Sequence, residues 1–374
     1  MTASTPSFSA FSATSASSDS SDSSASSATA PNASSASPNT GAGSTAPGRV
    51  TRAAGPVAAA PGLLRIGTRG SALAVTQTTH VAEAIARATG VDVTLVIITT
   101  HGDVSRAPLA QLGGTGVFVS ALREALVAGE CDLAVHSLKD LPTGPCEGIS
   151  LGAVPVRADP RDALCARDGL SLATLPNGAQ VGTGSPRRAA QLLARRPDLA
   201  VSDIRGNVDT RLGRVGADLD AVVLAAAGLD RIGRGDAISE RFPLDVAPPA
   251  PGQGALAVEV READAAGELM SAALASLNDP QARAEAIAER ALLGTLEAGC
   301  AAPIGATASV ADGLLTLTAT VYRLDGAEQL SSSATLPWHA GMPDAAAPTE
   351  LGRTVAADLL ARGAEDLAPL GANR

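Results

Sequence analysis

The sequence predicts an α/β fold: two βαβ units whose sheets carry helices on both faces, followed by a smaller α+β unit. Three observations lead there. Short runs of Val, Ile, Leu and Ala alternate with longer segments of helical periodicity. Helix-start residues (Ser, Asn, Pro) follow several of the short runs directly, as they do where a strand turns into a helix. A Pro/Gly-rich stretch, Ala247-Pro248-Pro249-Ala250-Pro251-Gly252-Gln253-Gly254, interrupts the alternation and reads as a crossing between domains.

Taken in order, Leu63 to Thr68 is the first strand, and Ser71 caps a helix reaching about residue 88. Residues 93–99 form a second strand, 118–128 a helix, 131–136 a buried strand and 151–156 another. Strands at 180–182, 200–204 and 221–225 are each followed by a helix, at 186–196, 208–215 and 226–232. Asp159-Pro160-Arg161-Asp162 reads as the outgoing crossing, with the return at 247–254. Asp279-Pro280 opens a long helix, as N-cap and first helical residue, and Gly299 closes it. A hairpin at 316–324 and 330–336 and a last helix at 350–361 complete the chain. The expected boundaries are a tail over 1–61, one domain from 62–158 with 253–277, a second from 159–252, and a third from 278–374.

Composition sets limits on what such a chain does. Its first 48 residues hold no Lys or Arg and are mostly Ser, Ala, Thr and Pro, so residues 1–61 read as a disordered tail that cannot bury enough apolar surface to fold. The tail lacks the arginines of a transit helix and the charged and apolar regions of a secretory signal, and no apolar run is long enough to span a membrane. Roughly 310 residues remain, enough for two or three domains. At 45% hydrophobic but 2% aromatic the core must be aliphatic, and a net charge of −10 argues against a nucleic-acid partner. Cys131, Cys146, Cys165 and Cys300 lack the paired spacing of a zinc site, and a chain of this size is no small disulfide scaffold, so they read as reduced thiols in the cytoplasm.

Of 28 basic side chains one is a lysine: Lys139, in Val135-His136-Ser137-Leu138-Lys139-Asp140. An ammonium is a compact charge whose pKa moves readily, unlike the fork of arginine, so a lone Lys beside Asp140 at a strand end is a candidate for chemistry. If the strand continues, the two side chains point to opposite sides. The arginines collect where strands meet helices: Arg69 before Ser71, Arg187 and Arg188 in Thr183-Gly184-Ser185-Pro186-Arg187-Arg188, and Arg205 and Arg211 in Arg205-Gly206-Asn207-Val208-Asp209-Thr210-Arg211. Helix starts favour anions, and guanidinium forks added there make carboxylate or phosphate sites. One such junction is ordinary helix-start chemistry, but three together point to a ligand with several anionic groups. His136 reads as a packed core histidine, and Gly113-Gly114-Thr115-Gly116 as a mobile loop, not a dinucleotide site. Cys300, on a loop after Gly299, is either structural or available for covalent chemistry. The residues alone leave two readings open: a receptor that captures a polyanion without chemistry, or an enzyme acting on one.

Taken together, Ile66 through Ser71, His136 through Asp140, Asp159 through Asp162, Gly182 through Arg188, Arg205 through Arg211, Pro251 through Gly254, and Gly299-Cys300 with Pro303-Ile304-Gly305 resemble the porphobilinogen deaminase (hydroxymethylbilane synthase) family in order and spacing over about residues 63–310. The resemblance implies three domains, the first two like those of periplasmic binding proteins. It implies a transferase of tetrapyrrole (porphyrin, heme) biosynthesis, which joins four porphobilinogen units head to tail with loss of ammonia. The growing chain is carried by a dipyrromethane cofactor thioether-linked to Cys300, and hydroxymethylbilane is released by hydrolysis. Asp140 would then be the catalytic carboxylate. Arg69, Arg187, Arg188, Arg205, Arg211, Arg231 and Lys139 would hold the carboxylate arms, and Ser71, Ser137, Thr183, Ser185 and Asn207 would add hydrogen bonds. The expected enzyme is a cytoplasmic monomer without metal, nucleic acid or membrane partner, with transient handover of product to the next enzyme of the pathway. His101, Thr115, Ser120 and Gly184 depart from residues common in the family.

Overall fold

The structure, a computed structural model, describes residues 46–99, 116–299, 302–342 and 345–370. Along the chain these form β1 (Val50–Ala53), β2 (Leu63–Thr68), α1 (Ala72–Thr89), β3 (Asp92–Ile97), α2 (Gly116–Val127), β4 (Leu133–Ser137) and β5 (Ile149–Ala153). Then come β6 (Asp162–Ala166), β7 (Gln180–Gly182), α3 (Pro186–Arg195), β8 (Ala200–Ser202), α4 (Val208–Leu212), β9 (Ala221–Ala225), α5 (Ala226–Arg231) and β10 (Glu240–Arg241). They are followed by β11 (Leu256–Arg261), α6 (Glu268–Leu277), α7 (Pro280–Thr295), β12 (Ile304–Ala311), β13 (Leu314–Tyr322), β14 (Gln329–Pro337), α8 (Ala346–Ala361) and α9 (Ala364–Leu367).

The strands gather into three sheets, in the orders β1-β3-β2-β4-β11-β5, β10-β6-β9-β7-β8 and β12-β13-β14. In the first, β1, β3, β2 and β4 run parallel, while β11 is antiparallel to both β4 and β5. In the second, β7, β8 and β9 are parallel, with β6 antiparallel to β9. The third is an antiparallel meander. Strand β2 is buried from Leu64 to Thr68, as a central parallel strand covered on both faces must be. Strand β14 alternates exposed with half-buried residues, as the edge of a sheet with one wet face does. With few aromatics available, the cores are aliphatic; Trp338 is buried with α7 and α8 against the third sheet, and Tyr322 is buried at the end of β13.

Helix starts follow the expected chemistry. Ser71 Oγ accepts from Ala74 N at 3.3 Å, Asn207 Oδ1 from Thr210 N at 2.8 Å, and Asp279 Oδ1 from Ala282 N at 2.7 Å with Pro280 in the first turn. Three expectations change. Residues 50–53, placed in the tail by composition, form β1 on β3, fastened by Arg49 to Asp92 at 2.7 and 3.1 Å. The outgoing crossing ends earlier than its loop-like sequence suggests, because Asp162 already opens strand β6. And β11 and β12 are unexpected from the sequence: β11 takes long-range partners in β4 and β5, while β12 pairs with the next strand, β13, across the two-residue turn Asp312-Gly313.

Two chain segments, 154–161 and 247–255, lie side by side between the first two sheets. Ala158 N donates to Gly254 O at 3.3 Å, and Arg157 Nε to Gln253 O at 2.9 Å. Gly254 has φ +87°, and a Cβ there would lie 2.4 Å from Ala158 O, so only glycine permits this approach. The same guanidinium of Arg157 meets Glu289 of α7 through two bonds, at 2.8 and 2.9 Å, and Glu289 also accepts from Gly252 N and Ala308 N. Glu289 is wholly buried with all these donors on it, the condition under which an interior charge is tolerated. Ala306 N donates to Pro249 O, so β12 is tied to the same segment. All three sheets therefore meet at the crossings.

Candidate functional site

The expected site residues sit at the carboxyl ends of parallel strands, where open α/β sheets bind ligands. Arg69 and Ser71 follow β2, Lys139 and Asp140 follow β4, Thr183 and Ser185 follow β7, Arg205 and Asn207 follow β8, and Arg231 ends α5 after β9. The β4 end differs from expectation in one respect. The chain leaves the strand at Ser137 and winds into a single 3₁₀ turn, Leu138–Asp140, so strand alternation does not set the directions of Lys139 and Asp140. Leu138 fills the core and both polar neighbours are partly buried. Ser137 Oγ meets the Gln77 amide of α1 at 3.3 Å.

Around Lys139 the structure gathers charge from the second sheet. Arg187 Nη1 lies 2.7 Å from Asp162 Oδ2, and Arg188 Nη2 lies 2.7 Å from Asp162 Oδ1. Asp162 is fully buried. Burial alone would raise its pKa, but the two guanidiniums outweigh burial and hold its carboxyl well below the ordinary range. Arg187, 3% exposed, also donates to Gln191 and to Pro248 O, so its fork faces inward. Arg188 reaches Val223 O and, at 3.3 Å, Gln253 Oε1. Lys139 Nζ meets that same oxygen at 3.3 Å. Burial, then the neighbouring Arg188, brings the Lys139 ammonium down to about 8, against the opposing pull of Asp140 and Asp162.

The β8 junction is more open. Arg205 pairs only loosely with Asp203, at 3.4 Å. Arg211 is lowered by burial and by Arg188 beside it, and its Nε is buried without a hydrogen-bond partner. The Ser202 hydroxyl at the end of β8 is buried in the same condition. Arg231 donates to Gly254 O at 2.7 Å, joining α5 to the crossing. Thr183 Oγ1 accepts from Ser185 N at 3.3 Å, and Ser185 Oγ from Arg188 N at 3.5 Å. Gly184 has no room for a larger residue: a Cβ would stand 2.7 Å from Ile204 O.

The geometry thus brings together Lys139, Arg187, Arg188, Arg205 and Arg211. Ser71, Ser185 and Asn207 spend their acceptor oxygens on their own helix starts, and Arg231 spends one donor on the crossing. Cys300, His101 and Thr115 lie outside the described residues. Ser120 is exposed on α2. His136 is a buried core residue as expected, its Nε2 3.1 Å from Glu259. Burial disfavours the charge on Glu259, but His136 and Arg123 outweigh it and hold the carboxyl at about 2. Asp162, Gln253, Arg157 and Glu289 were not singled out from sequence as site or junction residues. The signal was present for the first two, in the Asp159–Asp162 and Pro251–Gly254 motifs.

A partly buried cluster of cations with unpaired buried donors suits a ligand with several carboxylates, and dipyrromethane with acidic arms is such a group. Comparison with known proteins agrees. Residues 64–268 match the family described as "Porphobilinogen deaminase, dipyromethane cofactor binding domain", and residues 283–361 match "Porphobilinogen deaminase, C-terminal domain". The porphobilinogen deaminase of Leifsonia xyli subsp. xyli is 62% identical over 325 residues, covering 84% of this chain and 97% of its own. That of Thermobifida fusca is 56% identical over 306 residues, covering 81% and 95%. Among solved structures, an ABC transporter periplasmic substrate-binding protein from Coxiella burnetii is similar at 15% identity and a TM-score of 0.38, covering 58% of this chain and 92% of that one. With both family domains matched in order and more than half of the aligned residues identical in relatives covered over 95% or more of their length, the chain belongs to the porphobilinogen deaminase family.

Proposed function

We propose that this chain joins four porphobilinogen units head to tail onto a dipyrromethane carried by Cys300, releases ammonia at each addition, and finally frees hydroxymethylbilane by hydrolysis. The carrying observation is Asp140, partly buried in the turn after β4 next to Lys139, an ammonium on which Arg187 and Arg188 also act. When bound, the cofactor supplies the carbon that is extended. The protein does the rest. As ammonia leaves the aminomethyl group of a pyrrole, positive charge spreads from the remaining methylene carbon onto the ring and its N–H. A fixed carboxylate at Asp140 stabilises that charge where it develops, which lowers the barrier instead of only tightening binding. Arg188, Arg205, Arg211 and Lys139 take the carboxylate arms, with Arg69, Arg231, Ser71, Ser137, Thr183, Ser185 and Asn207 around them. Arg187, turned onto Asp162, acts by holding the start of α3 and the fork of Arg188.

The same reading takes residues 62–158 with 253–277, 159–252 and 278–374 as three domains, one around each sheet. It makes the enzyme a cytoplasmic monomer with reduced thiols that passes its product on to the next enzyme. No helix among the described residues is long and apolar enough to cross a membrane.

Asp140→Asn tests the mechanism. It keeps size and an acceptor but removes charge. The fold and melting temperature should survive, while single-turnover ring addition on cofactor-loaded protein falls by at least about 10²-fold, roughly 2.7 kcal/mol of barrier. Intact mass measured beforehand confirms loading, and Cys300→Ser should abolish the two-ring adduct. Ring addition at the wild-type rate by the Asn variant would make Asp140 structural.

A further inference from the structure

We infer that Arg290 is a positioning residue that fixes the Asp140 turn on the helix leading to Cys300, so that the catalytic carboxylate and the root of the cofactor tether share one support. The inference rests on the reading above, in which Asp140 stabilises the developing charge and Cys300 carries the dipyrromethane.

Helix α7 is strapped to the body around the first sheet by two arginines, Arg283 and Arg290, two turns apart and so on one face of the helix. Arg283 donates to Leu151 O at 3.0 Å and to Gly152 O at 3.3 Å. Arg290 donates through Nη1 to Leu141 O at 3.0 Å and through Nη2 to Pro142 O at 2.7 Å. The forks are alike but land differently: Arg283 on strand β5, Arg290 on the two residues that follow Asp140. Whatever else the Arg290 guanidinium touches, these two bonds join α7 to the exit of the Asp140 turn. Beside them Leu138 and Leu141 share one core with Ala282 and Ala286 of α7. Thr143 comes up against Gly294, where an added Cβ would stand 3.5 Å from the threonine Cβ.

The lever from those bonds to Asp140 is short and stiff. Leu141 N donates to Leu138 O at 3.1 Å and closes the 3₁₀ turn. A residue before proline is confined to extended backbone, and Leu141 lies there, at φ −83° and ψ 125°. Pro142 adds a fixed φ of its own. Gripping these two successive carbonyls therefore sets the direction in which Asp140 leaves the turn. At its other end α7 stops at Thr295, and the chain toward Cys300 stays on the helix. Glu297 N donates to Gly294 O at 3.1 Å and Ala298 N to Leu293 O at 3.2 Å, with Leu296 and Ala298 buried in the core of the third sheet. The Asp140 turn and the root of the tether are thus both held by the second half of α7. A carboxylate that must meet charge on a tethered ring needs such a common reference, since a misplacement of about 1 Å can cost on the order of 10²-fold in rate.

Arg290→Met keeps the stem and removes both donors. In full-length, cofactor-loaded protein, single-turnover ring addition at saturating porphobilinogen should fall about 30-fold, while KM rises no more than about twofold because the groups that take the arms stay in place. Arg283→Met strips two carbonyl bonds from the same helix and is the control: it should cost similar stability and leave ring addition within about threefold of wild type. Combined with Asp140→Asn, Arg290→Met should slow the reaction no more than about twofold beyond Asp140→Asn alone, because a residue acting through Asp140 then has nothing left to position. Should Arg290→Met not accumulate as folded, loaded protein, Arg290→Lys, which keeps the charge without the fork, is measured in its place, with a fall of about tenfold expected. Ring addition within about threefold of wild type in the folded Arg290 variant overturns the inference. So does equal slowing by Arg283→Met, or slowing that multiplies in the double variant, since either marks a general part in seating α7. Full activity in Asp140→Asn fails the mechanism above, whereas full activity in Arg290→Met beside a slow Asp140→Asn fails the positioning role alone.

Discussion

The β7–α3 and β8–α4 junctions are written alike and built differently. Each has a strand, a glycine, a capping Ser or Asn and arginines in the first turns of a helix. At the first, Arg187 and Arg188 are 3% and 7% exposed and share Asp162. At the second, the Arg205–Asp203 pair is open to solvent; Arg211 keeps an unpaired buried Nε, as Arg187 does, but without a shared carboxylate such as Asp162 among the ion pairs of the described residues. The cause lies in strand order. Strand β7 is flanked by β9 and β8, with β6 beyond β9 bringing Asp162 beneath the helix start, whereas β8 is the edge. A local motif decides where a helix begins and which way its arginines leave the backbone. The place of that strand in its sheet decides whether the arginines become part of the core or stay available to a ligand.

If that contrast is right, the largest effect comes from removing the shared counter-ion of the buried junction. Asp162→Ala leaves two buried guanidiniums without their carboxylate and should cost about 3–5 kcal/mol of stability, read by denaturant unfolding of loaded protein. The sign with pH follows from the depressed pKa of Asp162: its stabilisation is present above the ordinary value of 3.8 and is lost as pH falls below it, so the wild type should lose in acid what the Ala variant has already lost. A cost under about 1 kcal/mol would show that the two arginines do not depend on Asp162.

The second effect separates the two junctions by readout. Arg211→Leu removes a charge that burial and Arg188 already disfavour, so the fold should not suffer, while ring addition drops about 30-fold, near 2 kcal/mol, for one lost carboxylate contact. Arg187→Leu should do the reverse and destabilise first, because it strips Asp162 of a partner. Equal losses of stability in the two variants would erase the distinction.

How much of this the sequence carried follows the same division between local and non-local causes. The βαβ alternation, the helix caps at Ser71, Asn207 and Asp279 and the arginine junctions were legible because each is written within a few neighbouring residues. Strand β6 was not: Asp159-Pro160-Arg161-Asp162 looks like a loop, and its pairing partner β9 lies far along the chain. Strand β11 was hidden behind the Pro/Gly crossing for the same reason, with partners in β4 and β5. Strand β1 was lost in the polar, Ala-rich composition around it; its order comes from β3 and the Arg49–Asp92 pair. At the site, Lys139 stood out by being the one lysine, but its contact with Gln253 joins two segments that share no local pattern. The inward turn of Arg187 likewise depended on Asp162, a residue visible only as part of a motif.

The smallest effect should come from the open junction's own acid. Asp203 lies 3.4 Å from Arg205 with both side chains about half exposed or more, so water screens the pair and both chains give up rotamer freedom to make it. Asp203→Ala should therefore change stability by no more than about 0.5 kcal/mol. Its effect on binding should have the opposite sign from every other substitution above. Asp203 offers Arg205 an alternative to a ligand carboxylate and also acts on Arg211, so removing it should lower KM for porphobilinogen, by about twofold at low salt and less as ionic strength rises. If KM rises instead, Asp203 is holding Arg205 in the position the ligand needs, and the edge junction is as pre-built as the buried one.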